Sequence, residues 1–354
     1  MRKIFLSFAA LALILTGCES DNSPNSDTQE SVDMSDFYLY TDADIDETSR
    51  VAASEKSCYS MVNLNRLLRE NPGLYDKMYD IELNTRKSIN AKKPDGTPGG
   101  GNGGGDTGGG GTVTPSTYAP VTINVVVNIL ETSSGAVSNS QITSQIAILN
   151  DDFNDTNPNR NSVPSYFADY RTDASVNFNL VKTVRKTSSR TSWGTNDEMK
   201  KSSAGGIDPT DTANNLNIWV CEIGGGILGY AQFPGGPAAT DGVVIGSDYF
   251  GNTTAGGVYG KGRTATHEVG HYLNLRHIWG DGRCRQDDFV ADTPSSDGPN
   301  YGCPGETTNC SSIDMTMNYM DYVYDDCMYM FTHGQNDRMH SIFEAGGSRV
   351  DLVN

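Results

Sequence analysis

The chain has 354 residues, 36% of them hydrophobic, which is enough for one sizeable core plus accessory segments. Its formal net charge of -18 repels polyanions, which excludes nucleic acid as a partner and electrostatic attachment to anionic lipid.

Arg2 and Lys3 precede an apolar run from Ile4 to Leu15, too short to span a bilayer as a mature helix and built like an export signal. The run ends in Leu15-Thr16-Gly17-Cys18, which resembles the lipobox of bacterial lipoprotein signal peptides. That resemblance implies removal of residues 1–17 and acylation of Cys18. It makes the protein an exported membrane lipoprotein facing the periplasm or the cell surface. Residues 18–36 are rich in Ser, Asp, Asn and Thr and read as a disordered tether.

Residues 37–95 form a small helical segment. Met61, Leu64, Leu67 and Leu68 make one apolar stripe. Asn71-Pro72 then reads as the N-cap and first position of a second helix carrying Leu74, Met78 and Ile81. The glycine runs within 96–113 make a flexible linker that cannot hold a fold, and mark the sharpest boundary in the chain.

The main domain is expected over 114–354. Strands are predicted over Val121 to Leu130, Val176 to Val184, Leu216 to Ile223 and Gly242 to Ile245, and a helix over Ser140 to Phe153. A Gly-rich segment runs through Gly229-Tyr230-Ala231-Gln232-Phe233-Pro234. Arg263 to Asn274 is a further helix, and a last one runs from Thr332 to Glu344. Strands with early helices followed by an irregular, cysteine-rich part imply an α/β (α+β) domain.

The chemistry is concentrated in His267-Glu268-Val269-Gly270-His271-Tyr272-Leu273-Asn274-Leu275-Arg276-His277, which holds three of the five histidines. His267 and His271 are four apart and project from one helix face, as two ligands of one Zn²⁺ must. Glu268 sits where its carboxylate reaches a water without ligating the metal. His277 is too far along to bind from the same straight helix, so the chain turns near Asn274, a residue type that enters the left-handed region easily. Three imidazoles leave a fourth position open, the arrangement of a catalytic zinc. Export permits disulfides, and Cys284, Cys303, Cys310 and Cys327 cluster after the motif; their spacing leaves all three connectivities open. Cys221 lies in an apolar run and reads as a buried small hydrophobe.

Together with Met317-Asn318-Tyr319-Met320-Asp321-Tyr322, the motif resembles a metzincin metallopeptidase with its Met-turn. The stretches Asp288-Phe289-Val290-Ala291-Asp292-Thr293-Pro294 and Cys327-Met328 narrow the similarity to the pappalysin family. The resemblance implies a metzincin-like zincin, whose upper subdomain has a twisted mixed five-stranded sheet and two long helices, above a smaller, disulfide-bonded lower subdomain. It places Met320 beneath the metal and Tyr322 as a donor to the oxyanion. It puts Gly229 to Pro234 over the cleft as an edge strand for an extended peptide. It sets Asp325 in the pocket for the residue after the scissile bond, where a carboxylate favours Arg or Lys. It also favours the pairs Cys284–Cys310 and Cys303–Cys327. Metzincins usually carry Gly where this chain has Asn274, and Asn can supply the same turn.

Two further expectations concern the loops and the N-terminal segment. Asp287, Asp288 and Asp292 offer hard oxygen ligands for a structural Ca²⁺. Cys58 could place a thiolate in the open zinc position, a cysteine switch with residues 37–95 as pro-segment. Arg86, Lys87, Lys92 and Lys93 are natural activation cuts that would also release the enzyme from its lipid. The sequence thus predicts a zinc endopeptidase made as a zymogen, a monomer acting on peptide or protein. The competing reading is a non-catalytic surface lipoprotein on a zincin scaffold, against which Glu268 speaks.

Overall fold

The computed structural model describes residues 32–39, 57–92 and 117–353. The signal run, Cys18 and the glycine-rich linker of 96–113 lie outside the described residues. So does Lys93. Among the described residues no helix is long and apolar enough to cross a membrane.

The elements, in chain order, are β1 (Ser57–Cys58), α1 (Ser60–Glu70), α2 (Leu74–Ala91), β2 (Val121–Glu131), α3 (Asn139–Phe153), β3 (Val176–Thr187), β4 (Leu216–Cys221), β5 (Ile227–Ala231), β6 (Val243–Gly246), α4 (Arg263–Tyr272), β7 (Tyr301–Gly302), β8 (Thr308–Asn309), β9 (Ser312–Ile313), β10 (Tyr322–Val323) and α5 (His333–Ser341). Strands β1 to β6 form one sheet in the order β1-β5-β6-β4-β2-β3. All its pairings are parallel except β5 with β6. Without β1 this is the five-stranded mixed sheet expected from the sequence; the sixth strand is two residues long and comes from the N-terminal segment.

The central strands β4 and β6 are buried at every position, as their unbroken apolar runs demand. On one face Ile123, Val125, Ile218 and Ile245 pack with Leu149 and Phe153 of α3 and with Val269 of α4. On the other, Trp219, Tyr230 and Cys221 pack with Trp193 and Met199. Ser138 caps α3 by accepting from the Gln141 amide at 3.1 Å. Thr332 and Gln335 make a reciprocal capping box at the start of α5.

Two details of the N-terminal segment differ from expectation. Asn71 caps the end of α1, with both its backbone and side-chain amides donating to the Leu67 carbonyl at 2.9 Å, and α2 starts after Gly73 in a left-handed conformation. The amide reaches back because the last carbonyls of α1 need donors. Residues 33–36, read as tether, are packed: the Arg86 guanidinium holds the Asp36 carboxylate and the Asp33 carbonyl.

Helix α2 lies against α5 through buried charge. Glu82 receives Arg338 at 2.8 and 3.1 Å and Arg86 at 2.8 Å. Burial alone would raise the Glu82 carboxyl; Arg338 and then Arg86 outweigh it and hold it at about 2. Thr85 beside it accepts from the Asn274 side chain at 3.3 Å.

Candidate active site

Helix α4 is buried along its whole length and presents His267, Glu268 and His271 to one side. It ends because Asn274 turns at φ 76°, and the Leu275 amide donates to the Gly270 carbonyl at 3.0 Å. That turn brings the Leu275 carbonyl under His271, whose Nδ1 donates to it at 2.8 Å. His267 Nδ1 donates to the Tyr319 carbonyl at 2.7 Å, and His277 Nδ1 to the Asp281 carboxylate. Carbonyl and carboxylate oxygens can only accept, so each ring carries its proton on Nδ1 and turns an Nε2 lone pair inward.

The three lone pairs meet. His271 Nε2 is 3.2 Å from that of His267 and 3.1 Å from that of His277. Acceptors so close repel unless a cation lies between them. Zinc bonds of about 2.0–2.1 Å in a tetrahedron put nitrogens about 3.3 Å apart, so the donor set fits zinc. Burial, then His277, lower His267 to about 3, and His271 falls for the same two reasons. The rings of His267 and His271 are therefore neutral and ready to ligate.

Two glycines let the neighbouring elements come this close. A Cβ on Gly270 would stand 2.4 Å from Met320 Sδ, so the methionine lies directly against the helix that carries two of the histidines. A Cβ on Gly229 would meet Glu268 Cγ at 3.1 Å and the Val244 carbonyl at 2.8 Å, so β5 passes beside Glu268 only with glycine there.

Glu268 is fully buried, and burial pushes its carboxyl up to about 7 against the hydrogen bonds from Ser60 and Cys58. Its Oε2 accepts from Ser60 Oγ at 2.7 Å and from Cys58 Sγ at 3.4 Å, while Oε1 is buried without a partner among the described residues. Cys58 Sγ and one nitrogen from each of the three histidines lie within 4.8 Å of one another. Burial and the Glu268 carboxylate push the Cys58 thiol up. Tyr322 has its ring 4.9 Å from His277 and 5.6 Å from His267, and its hydroxyl donates to the Cys58 carbonyl at 3.4 Å.

Asp325 lines a small, largely apolar cavity together with Tyr259, Thr264, His267, Glu268 and Met328. Its Oδ2 accepts the amides of Lys261 at 2.8 Å and Arg263 at 3.2 Å, and burial raises the carboxyl to about 6. Asp326 is exposed and pairs with Lys261. Cys284 is bonded to Cys310 and Cys303 to Cys327, with Cα separations of 5.3 and 5.6 Å.

The three aspartates considered for calcium do not converge. Asp287 accepts the Phe289 amide at 2.6 Å, and Asp288 accepts the Val290 amide at 3.1 Å and the Thr293 hydroxyl at 2.8 Å. Asp292 accepts the Thr332 hydroxyl at 2.6 Å and the Gly334 amide at 2.9 Å. Asp287 and Asp288 meet side chain to side chain while Asp292 turns to the start of α5, and the three form no ligand set among the described residues.

Other residues were not legible as part of the site. Asp281 orients His277, and Trp279 stacks on the same ring at 4.3 Å. Asp152 of α3 receives Thr266 at 2.7 Å, Tyr319 at 3.0 Å and Arg263 at 2.8 Å, tying α4 to the Met-turn from below. Only the four-residue spacing of His277 and Asp281 could have hinted at one of these.

Residues 214–344 match the peptidase family described as pregnancy-associated plasma protein-A, the pappalysins. An extracellular metalloprotease of Arthroderma benhamiae is 34% identical over 249 residues, 66% of this chain and 76% of that one. Mature mirolysin of Tannerella forsythia, solved with a cleaved peptide, is 40% identical with a TM-score of 0.64, over 67% of this chain and 100% of that one. Promirolysin of the same organism is 35% identical with a TM-score of 0.71, over 84% of this chain and 97% of that one. With its zinc-fitting histidines on a metzincin fold, this chain belongs to the pappalysin family of zinc metalloproteases.

Proposed function

We propose that this protein is an exported, lipid-anchored zinc endopeptidase made as a latent zymogen. The observation that carries the reading is the meeting of three Nε2 lone pairs beside a buried Glu268 whose Oε1 has no partner among the described residues. His267, His271 and His277 would hold the zinc. A zinc ion there supplies Lewis acidity toward a water and toward the scissile carbonyl. Glu268, raised toward neutrality, takes a proton from the attacking water and returns it to the leaving amine. Tyr322 donates to the carbonyl oxygen as it gains charge, once its hydroxyl is freed from the Cys58 carbonyl. Met320 packs the floor of the ligand set.

An extended substrate would pair antiparallel with β5, and Asp325 in the adjoining cavity would favour Arg or Lys after the scissile bond. Residues 37–95 serve as pro-segment, with Cys58 as the fourth zinc ligand. In support, the pro form of mirolysin aligns with 84% of this chain and the mature form with 67%. Arg86 is buried within α2 and Lys87 lies in the same helix, so cuts near Lys92 or Lys93, at and past its end, would activate the enzyme and part it from the lipid on Cys18, leaving a catalytic domain from about residue 114.

Zinc content and cleavage of a quenched peptide library, before and after trypsin treatment, test the reading. Trypsin should switch activity on in the native chain. Glu268→Gln should keep zinc and lose turnover, and near-normal activity in that variant sinks the assignment.

A further inference from the structure

The contacts of the N-terminal segment with β5 extend well past its two-residue strand. The Tyr59 amide donates to the Gly229 carbonyl at 3.0 Å, the last main-chain bond of the pairing. Beyond it the chain turns into α1, and side chains take over. The Ala231 amide donates to Ser60 Oγ at 2.7 Å, and Asn63 Nδ2 donates to the Ala231 carbonyl at 2.9 Å. The hydroxyl of Ser60 accepts at its lone pair and donates its O–H to Glu268 Oε2 at 2.7 Å. Ser60 and Asn63 are 0% and 2% exposed.

We propose that Ser60 and Asn63 form a second latch, independent of the metal, which imitates the main chain of a bound peptide. Together they satisfy the next donor and acceptor of β5, and Ser60 ties down one oxygen of Glu268. The latch rests on the reading of residues 37–95 as a pro-segment. It differs from a cysteine switch in what it grips. Cys58 holds the segment through its thiol at the histidines; Ser60 and Asn63 hold it through neutral hydrogen bonds to the edge strand and the carboxylate. None of these three bonds needs zinc, so chelation that empties the histidines leaves all of them in place. Buried hydrogen bonds are costly to leave half-made, so loss of Ser60 strands the Ala231 amide and leaves Glu268 Oε2 with the Cys58 thiol alone.

The test reads exposure of the Tyr59–Ser60 bond in the full chain. Chymotrypsin cutting there is followed by mass spectrometry, with and without a zinc chelator. Cutting of a transiently open segment follows the population of the open form. Native protein and Cys58→Ala should stay protected in chelator, and Ser60→Ala should be cut roughly tenfold faster in either condition, from the loss of a buried hydrogen bond to a charged group. Ser60→Thr, which keeps the hydroxyl, should restore protection. Asn63→Ala, read the same way, carries the test should Ser60→Ala fail to fold. Protection of both alanine variants equal to native, or opening of native protein by chelator alone, overturns the latch. Peptide cleavage by the trypsin-treated native enzyme is measured separately. Its absence would sink the peptidase reading and leave the protection data to judge the contacts.

Discussion

Met320 Sδ lies where a side chain on Gly270 would begin: a Cβ there would stand 2.4 Å from the sulfur. Both residues are fully enclosed, so neither has room to retreat. Gly270→Ala should therefore cost about 1–3 kcal/mol through overpacking, although alanine is the better helix former. Thermal unfolding of the zinc-loaded protein checks this; an unchanged or raised Tm would show that the Met-turn and helix can part without cost.

The ring of His277 depends on a carboxylate four residues on. Asp281→Ala removes the acceptor of the Nδ1 proton and frees the ring to rotate or change tautomer. Loss of such a supporting group typically weakens a metal site by about 10–100-fold. Competition with a calibrated zinc chelator measures it. Asp281→Asn, which keeps an acceptor oxygen, should fall between. Equal affinity in all three proteins would assign the ring's position to Trp279 stacking instead.

Acid should loosen α2 from the catalytic domain. Glu82 is held at about 2, below the ordinary glutamate value near 4.3, so its ion pair stabilises fully above the latter. That contribution is lost as the pH falls through the interval down to about 2, and amounts to about 3 kcal/mol. Asp152, Asp292 and Asp325, each raised to about 6, act in the opposite sense, since protonation favours their folded form. Protection of α2 amides, measured relative to intrinsic exchange at each pH, should therefore fall between about pH 4.3 and 2 in the native chain. Glu82→Gln should exchange faster at neutral pH and show a flattened acid dependence. The same acid slope in both proteins would rule Glu82 out as its source.

The Asp325 carboxylate faces the cavity beside His267 and Glu268, so its removal should change preference before it changes rate. Asp325→Ala in the activated enzyme should reduce discrimination in favour of Arg and Lys after the scissile bond by on the order of tenfold. A cleavage-site profile from a peptide library reads this directly. Because Asp325 also accepts the amides of Lys261 and Arg263 at the start of α4, some loss of stability should accompany it. An unchanged profile would leave the aspartate with that structural role alone.

What was legible in the sequence was local. The helical spacing of His267 and His271 foretold the face of α4, and the readiness of asparagine for positive φ foretold the turn at Asn274, found at 76°. Apolar runs marked β2, β4 and β6 because buried strands need no polar alternation. Long-range pairing left no such trace. β1 has two residues, too few for any periodicity, and its place is set by β5, some 170 residues away. Glu82 and Arg338 are 256 residues apart and look like any solvated charges until α2 and α5 meet. Closeness in sequence did not reveal that Asp292 turns away from Asp287 and Asp288 to the Thr332 hydroxyl and Gly334 amide.

The parallel pairing of β1 with β5 has one more consequence. On the proposed antiparallel seating of substrate on β5, a peptide to be cut runs the other way along that strand, so β1 lies in the cleft back to front. Amide and carbonyl of each of its bonds are interchanged relative to the order in which Glu268 must deliver its proton to a departing nitrogen. On that reading the guard is shaped like the substrate and indigestible to the enzyme it guards. Its removal falls to a cut made elsewhere in the chain, where the polypeptide is free to enter a cleft in the productive sense.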